Sequence, residues 1–129
     1  MDVLFLIGRL IFGGYFLMNA YNHFKHIDGM TGYAQSKGVP SARSAVFVGG
    51  ILLMLGGLGL VFGIAPEAAI TLLLIFLVPV TLKMHAYWKE TEPNARMSEH
   101  IQFWKNVALI GALLMLFAID TPWVYNVLQ

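Results

Sequence analysis

Four long runs of apolar residues, separated by short polar stretches, dominate the chain. They lie at about 3–24, 43–63, 66–88 and 103–120, and each approaches the roughly 20 residues a helix needs to cross a ~30 Å hydrocarbon core. The pattern predicts an all-α, polytopic membrane protein, a single domain over residues 1–129 with four transmembrane helices in an up-down bundle. Between the first two runs, Gly29, Gly32, Gly38 and Pro40 punctuate a loop, and Ser41 is placed to cap the second helix. Only Gly63-Ile64-Ala65 separates the second and third runs. Pro66 at a helix start and Glu67 in its first turn make these two an antiparallel hairpin. The segment 89–100 is polar without an apolar period, and Ser98 is positioned to cap a fourth helix that begins in water. The first run lacks a basic leading region and an A-x-A site before Asn22, and Arg9 interrupts it, so it is expected to be a retained helix and not a signal peptide.

Composition sharpens this picture. Hydrophobic residues make up 58% and charged ones 12%, against ~45–50% and ~25% in soluble domains, so there is too little charge to cover a water-facing surface. A small soluble enzyme is excluded. The net charge of +1 offers no clustered basic surface for nucleic acid. With no Cys there is no disulfide, thiol relay, Cys-bound zinc or Cys-bound iron–sulfur cluster, so a redox role would need a cofactor or a redox protein partner. The scarce charge is also asymmetric. Lys25, Lys37, Arg43, Lys83, Lys89, Arg96 and Lys105 flank the first and third connections, whereas the other side holds only Arg9. The positive-inside rule then puts loops 25–43 and 89–102 in the cytoplasm and both termini on the opposite side of the cell (inner) membrane.

Polar residues within the runs suggest where chemistry resides. Arg9, Phe12, Phe16, Asn19 and His23 recur at three- and four-residue spacing, which sets them on one stripe expected to face the bundle interior. Glu67 and Asp120 are the nearest carboxylates on the side of Arg9, so the expected partner is one of these; an anionic ligand is the alternative. The four histidines, His23, His26, His85 and His100, all fall at the basic end, in a layer with Asn19, Trp88, Trp104, Lys105 and Asn106. Three arrangements suit that layer. One is an interfacial belt of Trp, Tyr, Lys and His. Another is a site for a quinone or similar ring, formed from Asn19, His23, His85, Trp88, His100, Trp104, Lys105 and Asn106, with His and Lys donating to a carbonyl and Trp forming walls. The third is a bis-His haem or His-rich metal site, and no metal set is assigned because the spacing lacks H-x-x-x-H regularity. Pro79 is expected to kink the third helix before His85. No Ser-His-carboxylate set is evident, which argues against hydrolysis. The glycines at 8, 13, 14, 49, 50, 56, 57, 59, 63 and 111 are expected to let helices approach closely. The pair Gly59 and Gly63, a G-x-x-x-G, offers a homo-oligomer face as the alternative.

Four segments in the same order carry a resemblance beyond composition: Gly8-Arg9 with Gly13-Gly14, Tyr33 through Ser36-Lys37-Gly38-Val39-Pro40, His85-Ala86-Tyr87-Trp88, and Phe103-Trp104-Lys105-Asn106. Together they resemble the DoxX family over nearly the whole chain. The resemblance implies a small four-helix membrane protein, kin to DoxD, the membrane subunit associated with thiosulfate:quinone oxidoreductase, with Arg9, Lys37, His85, Trp88, Lys105 and Asn106 at family-like positions. One departure stands out: a Glu often precedes the paired glycines of the family's second helix, whereas this chain has Leu52-Leu53-Met54-Leu55 before Gly56-Gly57. Arg9 must find its partner elsewhere. The function expected is an accessory or quinone-interacting subunit of a membrane redox system. The alternatives are a non-catalytic scaffold or assembly factor that holds a partner through 89–99 and, less favoured, a small transporter or lipid carrier.

Overall fold

The computed structural model describes residues 1–128. Five α-helices follow one another: α1 (Asp2–Lys25), α2 (Ile27–Ser36), α3 (Ala42–Phe62), α4 (Pro66–Met84) and α5 (Pro93–Phe117), with a single 3₁₀ turn at Tyr87–Lys89 between the last two. Four of them, all but α2, are long and apolar enough to cross a membrane. Their outward faces carry large exposed apolar side chains such as Ile11, Met18, Ile75 and Met115, as helices solvated by lipid should.

Successive long helices run antiparallel. Gly13 of α1 meets Gly57 and Val61 of α3, while Gly50, nearer the start of α3, meets Phe24 at the far end of α1. Gly59 lies on Ala69 and Gly49 on Phe76, which sets α3 against α4 in the same way. A Cβ at Gly13 would come within 3.0 Å of the Gly57 carbonyl, and one at Gly57 within 3.1 Å of the Gly13 carbonyl. Only glycine allows that backbone approach, which supplies the dispersion contacts that lipid cannot replace. The glycine expectation holds for 13, 49, 50, 56, 57 and 59; Gly63 instead forms the turn after α3, and at Gly8, Gly14 and Gly111 an added Cβ would meet nothing within 4 Å. Gly59 serves the α3–α4 contact inside this chain.

The close approaches run α1 on α3, α3 on α4 and α4 on α5, with α2 laid against α3. The α1–α5 side has no comparable approach, so the bundle keeps one loose seam. Phe16, Leu53, Leu60, Leu73, Leu77 and Leu113 fill the centre. The tight α3–α4 turn forms where Gly63 takes the left-handed conformation (φ 68°) and the Ile64 N–H returns to the Gly59 carbonyl at 3.0 Å.

Three boundaries differ from the sequence expectation. The first loop contains α2, whose Ile27, Met30 and Ala34 recur at helical spacing and pack with Ala42, Val46 and Met84 in a second small apolar cluster. Gly29 and Gly32 sit on exposed positions of that helix and do not break it. The third span reaches Lys89, close to the expected end, but its regular α-helix stops at Met84, after running through Pro79, and a 3₁₀ turn carries Trp88. The fourth begins at Pro93, about ten residues before the apolar run. Glu92, not Ser98, caps it, accepting from the N–H groups of Asn94 (3.1 Å) and Ala95 (2.7 Å), with Pro93 in the first turn. A helix start that lies in water needs caps and no apolar face, so hydropathy could not reveal it. Ser41 stands at the start of α3 without a side-chain cap bond.

Candidate functional site

Arg9 is 2% exposed and is held by backbone alone. Its Nε donates to the Leu60 carbonyl at 3.0 Å, Nη2 to Val61 at 3.0 Å and Tyr125 at 3.3 Å, and Nη1 to Val124. The expected ion pair with Glu67 or Asp120 is not what forms. The carbonyls of Leu60 and Val61 belong to the last turn of α3, where helix geometry leaves them without intrahelical partners and the macrodipole is negative. The guanidinium fills that need directly and also fastens the tail after α5, whose Trp123 is buried. The rings of Phe5 and Trp123 flank it at 5.7 and 5.6 Å. Glu67 instead accepts from the Thr121 hydroxyl at 3.0 Å. Arg9 is therefore a lock between α1, the end of α3 and the chain's tail.

At the opposite end of the bundle lies a cavity of about 330 Å³, bounded by α1, α2, α3, α4 and α5. Of the eight residues expected to form a ligand site, it gathers Asn19, His23, His85, Lys105 and Asn106. Trp88, His100 and Trp104 do not line it. With Tyr87 and Phe103 they form a chain of edge-to-face contacts on the outer side of α5, for example Tyr87 to His100 at 4.6 Å and Trp88 to Phe103 at 5.5 Å. Both tryptophans are about half exposed. That placement suits the interfacial belt for these three residues, since an amphipathic ring gains most at the lipid–water boundary. The cavity's aromatic walls are Tyr15, Phe16 and Phe76, its apolar walls Leu53, Leu77 and Val80.

Most polar groups of the cavity have a partner that leaves one atom free. The His23 Nδ1–H donates to the Asn19 carbonyl at 2.8 Å, and the Asn19 amide donates to the Tyr15 carbonyl at 2.8 Å. In the neutral ring Nε2 of His23 is then an acceptor. Lys105 Nζ reaches the Gln102 side-chain oxygen at 2.7 Å, with donors to spare. The Tyr15 hydroxyl and Asn106 make no such bond among the described residues, and Asn106 is the more buried of the two. It is 5% exposed and lines the cavity, and its side chain has no hydrogen-bond partner among the described residues. Its amide opens to the cavity and makes no bond within the described residues, so this side chain is available to a ligand.

Beside the cavity stands a cluster absent from the sequence expectation. Glu99 is 8% exposed and receives His85 Nδ1–H at 2.7 Å, the Tyr33 hydroxyl and, at 3.7 Å, the Lys37 ammonium, which also holds Glu90 at 2.5 Å. This places the family-like Lys37 and His85 in one network that binds α2 and the end of α4 to α5. Burial, together with donation to the Glu99 carboxylate, raises the Tyr33 phenol well above its ordinary range. Glu99 went unnoticed because 89–100 read as solvated loop. The stripe Glu99, Gln102, Asn106 and Leu109, at helical spacing, was the available clue. No group of three or more His, Asp or Glu side chains suited to a metal ion occurs among the described residues.

Comparison with known proteins agrees with this architecture. An Escherichia coli (strain K12) protein named "Inner membrane protein YphA" is 28% identical over 120 residues, which cover 93% of this chain and 84% of that protein. No solved structure matches. The DoxX pattern matches residues 4–86, from the Arg9 lock in α1 to His85 at the cavity, and the chain accordingly belongs to the DoxX family.

Proposed function

We propose that the chain is a multi-pass inner-membrane protein that binds a quinone-type ring in the α1–α5 cavity, as an accessory or quinone-interacting subunit of a membrane redox system. The observation that carries this is Asn106, a buried residue whose amide makes no hydrogen bond within the described residues and lines an otherwise mostly apolar cavity. Quinone carbonyls accept hydrogen bonds, and the hydroxyls of the reduced form donate them. Asn106 can do either, Lys105 can donate, and Nε2 of His23 can accept. The His85–Glu99 pair adjoins the same space, so a titratable ring stands where a quinone would take up protons. The volume is at the lower end of ordinary ligand sites. Electrons would come from a partner protein.

The inner-membrane placement follows the printed name of the YphA relative. The orientation, with both basic connections in the cytoplasm, rests on seven of the eight basic residues lying on that side. A scaffold that docks a partner through 89–99 is less well served, because Glu90 and Glu99 are engaged within the chain.

Equilibrium binding of a short-chain benzoquinone to protein in lipid nanodiscs tests the ligand. Saturable binding that Asn106→Leu weakens at least tenfold supports it, and no saturable binding refutes it. Orientation is read separately, since the chain has no Cys: Ser36→Cys should react with a membrane-impermeant maleimide only in inverted vesicles, and Asp120→Cys only in intact cells. The reverse result would overturn the topology.

A further inference from the structure

A second cavity, also of about 330 Å³, lies farther along the α1–α5 side toward the termini, lined by Leu4, Phe5, Gly8 and Phe12 of α1 and Ala112, Met115 and Leu116 of α5. It continues the first one. On α1 the lining passes from Phe12 to Phe16, one helical turn; on α5 it passes from Ala112 to Leu109, three residues. The rings of Phe12, on the second cavity, and Phe16, on the first, touch edge to face at 5.0 Å, so the two linings meet at this pair. The stripe Arg9, Phe12, Phe16, Asn19 and His23 that the sequence placed on one helical face lines both cavities in succession.

We propose that the seam between α1 and α5 is one binding site for an amphiphile, its polar ring in the upper cavity and an apolar tail along Phe12, Gly8 and Leu4. The ligand class is a membrane-resident ring compound with a prenyl or alkyl chain, entering sideways from the bilayer. This rests on the ring-binding function proposed above and adds the tail, its path and the route of entry.

Four features carry the inference. The seam is the one side of the bundle where neighbouring long helices lack close backbone approach, so a chain can part α1 from α5 without breaking glycine contacts. Its polarity is graded along the helices: Asn19, His23, Lys105 and Asn106 stand at one end, while the other end is apolar apart from Arg9, whose donors are engaged by carbonyls. From His23 to Leu4 the seam spans about 28 Å at 1.5 Å per residue, long enough for a head and an extended tail. Gly8 makes room on this path: a Cβ there would meet no atom within 4 Å, so the space beside it is unfilled by the protein.

Binding in nanodiscs of two probes with the same benzoquinone head, one without a tail and one with a ten-carbon tail, tests the inference when concentrations are expressed per lipid to remove partitioning. The tailed probe should bind at least tenfold more tightly. Gly8→Leu and Ala112→Leu fill the lower cavity from opposite walls and should each bring the tailed probe to the affinity of the tailless one, leaving the latter unchanged. Melting temperatures no lower than that of the unaltered protein show that both variants fold. Equal affinities for the two probes, or tail-dependent binding that survives both substitutions, would overturn the shared seam while leaving the ring site intact. Failure of both probes to bind the unaltered protein would overturn the ring site and the seam together.

Discussion

Replacing Arg9 with Met keeps an unbranched side chain of similar length in the span while removing every donor. The native guanidinium supplies hydrogen bonds to the carbonyls of Leu60, Val61, Val124 and Tyr125, and charge-assisted bonds contribute about 1.5–3 kcal/mol each. Adding four such values overshoots. The cation was itself desolvated at a cost, and some carbonyls near the membrane surface would regain water in the variant. Removing one side of a buried charged arrangement more often costs about 3–5 kcal/mol, and that is the magnitude expected here. At roughly 2–8 °C per kcal/mol, the melting temperature in a mild detergent should fall by at least about 6 °C. A second readout separates this lock from generic destabilisation. Val124 and Tyr125 are fastened by Arg9, and Trp123 stacks beside it at 5.6 Å. The tail should therefore be clipped by chymotrypsin at Trp123 and Tyr125 in the variant, at temperatures where the four spans remain folded. Arg9→Lys, with one compact ammonium instead of a planar fork, should fall between the two. If Arg9→Met melts within 2 °C of the native protein and its tail stays protected, the lock is not what holds these elements together.

Glycine substitutions should split into two groups. Gly59→Ala places a Cβ 2.4 Å from that of Ala69 and should destabilise the α3–α4 contact, whereas Gly14→Ala and Gly111→Ala, with nothing within 4 Å, should be neutral or gain up to about 1 kcal/mol of helix propensity; melting curves of the three variants decide. Glu99→Gln removes the charge that His85 and Lys37 face and should cost about 1–3 kcal/mol, with faster tryptic cleavage after Lys37 as α2 loosens. Unchanged cleavage would argue that the network does not hold α2. The Tyr33 phenol titrates higher in the folded chain than in the unfolded one, so its contribution to stability is complete below pH about 10 and is lost as pH rises through the folded value. Melting temperature should therefore decline more steeply above pH 10 in the native protein than in Tyr33→Phe; identical slopes would contradict that assignment.

Particular residues show how far the sequence could be read. The Arg9 stripe was legible because a 3.6-residue period and the cost of polar groups in lipid together specify which face turns inward. The partner of Arg9 was not, because backbone carbonyls are present at every residue and only tertiary packing says which ones lack a donor. His23, Asn19, Lys105 and Asn106 could be assigned to a common depth from their distance along each run, and they do share a cavity. Trp88, His100 and Trp104 lie at the same depth yet face outward. Depth is a coordinate along the helix, and sequence alone does not give the rotation about it when a helix is apolar nearly all round. Glu99 and Tyr33 were missed for a related reason: both belong to helical segments outside the apolar runs, Tyr33 on α2 and Glu99 on the polar first turns of α5, where hydropathy carries no information.

By itself the sequence determined the number of spans, the asymmetry of charge across the membrane and the inward stripe of α1. Those follow from solvation free energies, which add residue by residue along a chain in contact with lipid and water. Tertiary structure decided which glycines allow helices to touch, which carbonyls receive Arg9, and that α1 and α5 remain apart and leave the seam. Each depends on how surfaces from distant parts of the chain fit together, and that complementarity is a property of pairs of helices, which no single stretch of sequence contains.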